Sequence, residues 1–224
     1  ELDMVPSVIE RVLAGQRVKE KSHELFDYSR DFTRVSTTGS HFTYLKIAEG
    51  CSHRCAFCVI PTIRGKYRSR TPQAIIKEAK GLAANGVKEI AVVAQDTTVY
   101  GRDLGTNLVE LLTELVQLDI PRIRVLYTYP TSITDELLEL IAREPKLVKY
   151  VDLPLQHVSG NVLRKMRRPG DFASTAALIE KIRERIPGVF IRSSFIVGFP
   201  GETEEDFQEL LRFLEEKQLN HVGI

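Results

Sequence analysis

Strand-type and helix-type stretches alternate from residue 41 to residue 224, with no hairpin signal between any two strand candidates. The clearest strand is residues 89–94, EIAVVA, a continuous apolar run of the kind found where a strand is covered on both faces. Residues 42–48, 122–127, 150–155, 190–197 and 220–224 are the other candidates. Thr71 caps a helix with Pro72 at its first position, and Asn85-Gly86 stops it after about Ala84. Residues 108–118 form a second helix, with Leu111, Leu112, Leu115 and Val116 on one face. Thr134 caps a third, whose first turn carries Asp135 and Glu136, where negative charge complements the helix dipole. A helical segment starts near Ser159, and another runs over 174–185 until Pro187-Gly188 closes it. Thr203 with Asp206 three places on is a capping-box signature for a helix reaching about Lys217. Strands joined through helices require crossover connections, and these are right-handed and give a parallel sheet. No dinucleotide glycine fingerprint is present, so the expected fold is α/β, a (β/α)6 parallel barrel or partial (β/α)6 parallel barrel rather than a Rossmann sheet. In either arrangement the site lies beyond the C-terminal ends of the strands.

The chain has 224 residues, 43% of them apolar and 27% charged, which is ordinary for a globular protein with a sizeable core. The formal net charge is +1, so any anion or nucleic-acid contact must rest on local clusters. No apolar run is long enough to span a membrane and the N-terminus is polar, which leads to the expectation of a cytoplasmic protein. Residues 1–40 differ from the rest. Val8, Ile9, Val12 and Leu13 make a short amphipathic pattern ending near Gly15, then residues 17–21 are charged and 28–40 polar and extended in character. They are read as the tail of an upstream module plus a linker, or as a simple N-terminal extension. The chain begins at Glu1 and ends at Ile224 within a strand candidate, so a longer parent protein is expected.

Residues 46–70, KIAEGCSHRCAFCVIPTIRGKYRSR, hold all three cysteines, Cys51, Cys55 and Cys58, directly after the first strand. The connection from Glu49 to Arg70 exceeds the roughly 12–15 residues beyond which structureless loops are usually functional. An odd number of closely spaced cysteines is not a secreted disulfide framework. Three thiolates held together repel one another, and a metal centre removes that repulsion. Zinc would need a fourth ligand, for which His53 is the local candidate. An iron–sulfur cubane held by three cysteines would leave one iron open. Reduced, buried cysteines are the third reading.

Cys-x3-Cys-x2-Cys after the first strand of a (β/α)6 chain resembles the radical S-adenosylmethionine superfamily. The resemblance implies a 4Fe–4S cluster on Cys51, Cys55 and Cys58 whose open iron chelates the methionine moiety of S-adenosyl-L-methionine. One electron then cleaves the sulfonium and yields a 5′-deoxyadenosyl radical. It further implies that Gln95 and Asp96 contact the cofactor's amino group, that Gln156 meets its ribose or carboxylate, that Ile196 and Val197 line its adenine, and that Gly198 permits close backbone approach to the cofactor. His157 is expected to make a structural hydrogen bond or to serve in acid–base or substrate positioning. Tyr127 and Tyr129 are candidates for the substrate mouth. Two basic clusters, Arg54, Arg64, Lys66, Arg68 and Arg70, and Arg164, Lys165, Arg167 and Arg168, flank the same rim and suit an acidic partner or RNA.

A narrower resemblance runs over most of residues 41–224. EGCSHRCAFCVIPTIRGKYRSR, LYTYP, PLQHVSGNVLRKMRRPG and RSSFIVGFPGET are similar to the methylthiotransferase branch. Gln156-His157 and Arg168-Pro169-Gly170 are similar to its RimO-type members, which methylthiolate an aspartate of a small-subunit ribosomal protein. The tRNA adenosine methylthiotransferases are the alternative branch, and a structural zinc-binding module the remote one. The resemblance also implies an electron donor such as flavodoxin or ferredoxin. Full-length members carry an upstream domain with a second 4Fe–4S cluster and a downstream TRAM domain. On this resemblance residues 41–224 are expected to be the catalytic core between them, truncated at its C-terminal end and without the TRAM domain.

Overall fold

The computed structural model describes residues 4–19 and 41–224. Residues 1–33 group as one compact unit and 34–224 as another. In the first, α1 (Val5–Leu13) is an amphipathic helix that ends before Gly15, which takes a left-handed φ of 81°. The polar stretch expected over 28–40 lies outside the described residues, as do residues 20 and 21 of the charged run.

The second unit begins with β1 (Phe42–Lys46) and β2 (Ala48–Glu49). After α2 (Ile60–Arg64) come β3 (Arg68–Ser69), α3 (Pro72–Ala84), β4 (Glu89–Val93), α4 (Leu108–Leu115) and β5 (Arg122–Val125). The chain continues through α5 (Asp135–Arg143), β6 (Tyr150–Asp152), α6 (Gly160–Lys165), α7 (Phe172–Arg185), β7 (Phe190–Ser194), α8 (Glu204–Lys217) and β8 (His221–Gly223).

Six of these strands form two parallel sheets in chain order, β1-β4-β5 and β6-β7-β8. Phe42 pairs with Glu89 and Glu89 with Arg122 in the first, while Tyr150 pairs with Phe190 and Arg192 with His221 in the second. A parallel bridge between Ile123 and Leu147, and the Thr128 N–H donating to the Asp152 carbonyl at 2.9 Å, carry the ladder from one sheet to the other. Among the described residues β1 and β8 do not pair, so the fold is an open, partial barrel.

Helices cover the outer face. Ile75, Ala79 and Leu82 of α3, Leu111, Leu112 and Leu115 of α4, Leu138 and Ile141 of α5, Ile179 and Ile182 of α7 and Leu210 and Phe213 of α8 join Ile90, Val92, Ile123, Val151 and Ile191 in one core. Burial of each such aliphatic side chain stabilises the fold by about 1.5–3 kcal/mol. Caps fix where the helices start. The Thr71 hydroxyl accepts from Ala74 N at 3.4 Å, and Thr203 and Asp206 form a reciprocal capping box on α8. Helix α7 starts at Phe172 rather than at 174, because Asp171 is its cap and Ser174 is the returning partner of a capping box.

The expected strands at 122–127, 150–155 and 190–197 end early, at Val125, Asp152 and Ser194. Beyond the first two, Tyr127 and Gln156 take left-handed φ values of 57° and 72°, which turns the backbone out of the pleat. Residues 42–48 split at Ile47, and β2 then pairs antiparallel with β3, a two-residue ladder with no hairpin signature in the sequence. Among the described residues no helix is long and apolar enough to cross a membrane.

Candidate active site

The β2–β3 ladder gathers the long cysteine connection at its neck. Ala48 pairs with Ser69 and Glu49 with Arg68, and the Cys51 N–H donates to the Gly65 carbonyl at 3.1 Å. The neck requires glycine at position 50. Its φ is 78°, and a Cβ there would lie 2.3 Å from the Lys66 carbonyl oxygen and 2.7 Å from that of Gly65. Glu49 is buried at this point between Lys46 and Arg64, with Arg64 Nη1 3.1 Å from its Oε1. Burial pushes this carboxyl up, but Lys46, the Gly50 N–H and Arg64 outweigh it and hold the pKa below the ordinary value.

Cys51, Cys55 and Cys58 line one cavity of about 170 Å³, together with Gln95 and Gln156. Gln95 follows the end of β4, and its Oε1 is buried without a hydrogen-bond partner. Gln156 and Tyr127, the two residues with left-handed backbone at the exits of β6 and β5, also line it. Left-handed non-glycine backbone costs of order 1–3 kcal/mol per residue and persists where the surroundings enforce it, often at functional sites.

One wall of the cavity is a stack of side chains from three separate segments. His53, inside the cysteine loop, stacks on Tyr129 with ring centroids 3.8 Å apart and planes 10° apart. The Arg168 guanidinium carbon lies 4.6 Å from the Tyr129 centroid. At one end His53 Nε2 meets Asp96 Oδ2 at 2.7 Å, and Asp96 Oδ1 accepts from the Thr98 N–H at 2.9 Å and from the Thr98 hydroxyl. At the other end Arg168 Nη1 lies 3.7 Å from Cys55 Sγ. The Ala56 N–H donating to the Met166 carbonyl at 2.9 Å ties the same loop to the end of α6.

Burial pushes the Cys51 thiol pKa up, and the Asp96 carboxylate and the two neighbouring cysteines push the same way against a backbone hydrogen bond from His53. The free protein therefore favours a protonated Cys51, a state that a bound cation reverses. The donor set lining the cavity is three sulfurs, and His53, the expected fourth ligand for zinc, has its Nε2 engaged by Asp96. Among the described residues no three Cys, His, Asp or Glu side chains are grouped tightly enough to hold a single ion. One zinc ion holds its sulfur ligands each about 2.3 Å from the metal, whereas a cluster takes each thiolate on its own iron and spreads them. Three thiols lining one cavity fit the three protein ligands of such a cluster. The orphaned Gln95 oxygen, an acceptor, fits a donor such as the ammonium of S-adenosylmethionine.

The other residues expected at the site are placed as follows. Asp96 is 1% exposed and faces His53 and Thr98 rather than the cavity. Ile196, Val197 and Gly198 stand outside the lining of the cysteine cavity, although Ile196 N donates to the Gln156 carbonyl at 2.7 Å. His157 is fully buried, its Nδ1 accepts from the Ser159 N–H at 3.0 Å, and its Nε2 faces Glu202 Oε1 at 3.5 Å without a hydrogen-bond partner. It also lines a second cavity, of about 360 Å³, which shares Tyr129 and Arg168 with the first. The basic clusters largely dissolve into separate roles. Arg70 is buried against Glu78 at 2.7 Å and Arg64 pairs with Glu49, whereas Arg54, Lys66, Arg164, Lys165 and Arg167 are exposed. Phe57, Thr128 and Pro154 belong to the lining and were not anticipated. Phe57 packs edge-on against Phe199 at 6.5 Å, a contact that its place between two cysteines does not announce.

Comparison with known proteins gives the chain's family and fold. The chain is 50% identical over 223 residues to the ribosomal protein uS12 methylthiotransferase RimO of Symbiobacterium thermophilum, covering 98% of this chain and 46% of that protein. It is 51% identical over 223 residues to the protein of the same name from Moorella thermoacetica, covering 98% and 51% respectively. The chain thus spans about half the length of the curated relatives it matches. Among solved structures, the radical S-adenosylmethionine methyltransferase TsrM from Kitasatospora setae superposes with a TM-score of 0.66 at 21% identity, over 82% of this chain and 35% of that one. Coproporphyrinogen III oxidase from Escherichia coli gives 0.56 at 19%, over 82% and 44%. These two share the fold. The family model described as the radical SAM superfamily matches residues 45–214, and the chain belongs to that superfamily.

Proposed function

We propose that residues 41–224 are the radical-generating core of a methylthiotransferase that modifies an aspartate side chain of a small-subunit ribosomal protein. The observation that carries the reading is the convergence of Cys51, Cys55 and Cys58 on one cavity at the strand exits of this fold. The relatives named uS12 methylthiotransferases, at about half identity along nearly the whole chain, supply the substrate.

The superfamily works with a 4Fe–4S cluster and S-adenosylmethionine. Here the three cysteines would hold the cluster, and Gln95 and Gln156 would bind the polar end of the cofactor. Bound together, the two groups supply one-electron cleavage of the sulfonium. The chain's own part is positional. The β2–β3 neck fixes the ends of the loop, the His53–Tyr129–Arg168 stack holds its middle, and Asp96 orients His53 from behind. Ile196, whose N–H donates to the Gln156 carbonyl, leads on to Val197 and Gly198 beyond the β7 exit, where the three would extend the cofactor surface.

A second cluster and a substrate-docking domain would lie in the parts of the longer relatives that this chain does not span. Exposed Arg54 and Lys66 on the cysteine loop suit an acidic electron donor such as flavodoxin or ferredoxin, or ribosomal RNA near the substrate. The full-length protein, reconstituted anaerobically, should add a methylthio group to the ribosomal protein, read as a mass gain of the peptide carrying the modified aspartate. A mass gain on tRNA adenosine with unmodified protein would replace this substrate with the other one.

A further inference from the structure

Four basic residues end α6 and follow it, and only one of them turns inward. Arg164, Lys165 and Arg167 are exposed, whereas Arg168 is half-buried. The backbone causes the difference. The Arg167 N–H donates to the Arg164 carbonyl at 3.0 Å and the Arg168 N–H to the Leu163 carbonyl at 2.8 Å, which is the paired bonding of a Schellman helix end. Arg167 takes the left-handed position of that motif, with φ 55°, where glycine is usual. The chain reverses there, and Arg168 is sent back towards the strand exits.

Its guanidinium is then held at three points. Nη2 donates to the Pro154 carbonyl at 2.8 Å, the plane lies over Tyr129 at 4.6 Å, and Nη1 lies 3.7 Å from Cys55 Sγ. The first two contacts orient the fork, and the third aims an N–H and a fixed positive charge at a sulfur. Arginine cannot lose its proton, so the charge is constant across pH.

We propose that Arg168 is a positioning residue for the Cys55 sulfur: it donates an N–H···S bond to it and thereby raises the reduction potential of the iron–sulfur group held there. The proposal rests on the reading of Cys55 as a cluster ligand. Hydrogen bonds to ligand sulfurs and nearby charge are the protein's main means of setting such potentials, and both favour the more negative, reduced state.

The test compares wild-type protein with R168M and R168Q, each reconstituted anaerobically with iron and sulfide. The readouts are iron content, thermal melting and the midpoint potential from an EPR-monitored redox titration without S-adenosylmethionine. R168M should hold iron with a lower midpoint. The ratio of reduced to oxidised cluster at fixed potential should fall about tenfold, equivalent to about 59 mV for one electron. R168Q keeps a donor for the Pro154 carbonyl but loses the charge, and should shift in the same direction by less. If R168M does not retain iron, R168Q decides: a lowered midpoint supports the proposal and an unchanged one overturns it. Iron-loaded R168M with the wild-type midpoint would reduce Arg168 to a packing residue. A wild-type protein that takes up no cluster would overturn the underlying reading of the cysteines instead.

Discussion

His53 Nε2 lies 2.7 Å from Asp96 Oδ2, which joins the cysteine loop to a carboxylate that is 1% exposed at the end of the second barrel strand. Asp96 accepts from both the N–H and the hydroxyl of Thr98 as well. Replacing it with alanine removes the acceptor of His53 Nε2 and of the Thr98 N–H and hydroxyl, while the Thr98 hydroxyl still accepts from the Tyr129 N–H and His53 still stacks on Tyr129. D96A should therefore lose about 2 kcal/mol in urea unfolding, in line with unsatisfied groups left by one lost acceptor, and D96N less. The cysteine cavity should loosen with it, read as faster alkylation of Cys55 by a neutral thiol reagent. Unchanged alkylation in D96A would show that the loop is held without this contact.

Gly50 and Gly188 share nearly the same φ, 78° and 76°, but differ in surroundings. A Cβ on Gly188 meets nothing within 4 Å, whereas one on Gly50 runs into two backbone carbonyls. G188A should cost only left-handed strain, about 1 kcal/mol, and keep full iron uptake. G50A adds a backbone clash at the neck of the loop and should cost at least about 2 kcal/mol, with iron uptake largely lost. Equal effects of the two would contradict the neck as described.

Asp206, in the first turn of α8, ties that helix to the start of α6. It accepts from the Thr203 N–H at 3.0 Å, from Asn161 Nδ2 at 2.6 Å and from the Ser159 hydroxyl. Burial pushes its carboxyl up, but the hydrogen bonds from Ser159, the Thr203 backbone and Asn161 outweigh this and hold the pKa at about 2. A depressed pKa stabilises the fold above the unfolded value, and that stabilisation is lost as pH falls through the folded one. The contribution is therefore complete above about pH 4 and fades towards pH 2. D206N should cost roughly 2 kcal/mol at neutral pH, and the gap to wild type should narrow between pH 4 and pH 2 in denaturant titrations. A constant gap across that window would assign the loss to packing.

Arg167 occupies a left-handed position without a buried side chain to justify it. R167G should relieve roughly 1–2 kcal/mol of strain, offset by roughly 0.5–1 kcal/mol of glycine entropy, for a net gain of about 0.5 kcal/mol by thermal unfolding. The Arg168 contacts should survive and iron uptake should match wild type.

The helices that cover the strands and the parallel strand order were legible because caps and apolar runs are local, whereas α2, which has no side-chain cap, was not. Thr71, Thr134 and Thr203 cap where their sequences indicate. The cysteine cavity was legible from spacing. The strand ends were not, since Tyr127 and Gln156 leave the pleat through a backbone conformation that their side chains do not announce. The wall was not either, because His53, Tyr129 and Arg168 are brought together across 115 residues by tertiary contact alone. The motif that named Asp96 as a cofactor contact says nothing of His53, which takes up one of its oxygens.

The central claim, that Cys51, Cys55 and Cys58 hold a cluster open to S-adenosylmethionine, is tested most directly by anaerobic reconstitution with iron and sulfide followed by EPR of the reduced protein. The account predicts broad absorption near 400 nm, about four irons per three-cysteine site, and an EPR signal that changes when S-adenosylmethionine is added. Substituting any one of the three cysteines by alanine should abolish it. A colourless protein that binds one zinc per chain would contradict the account.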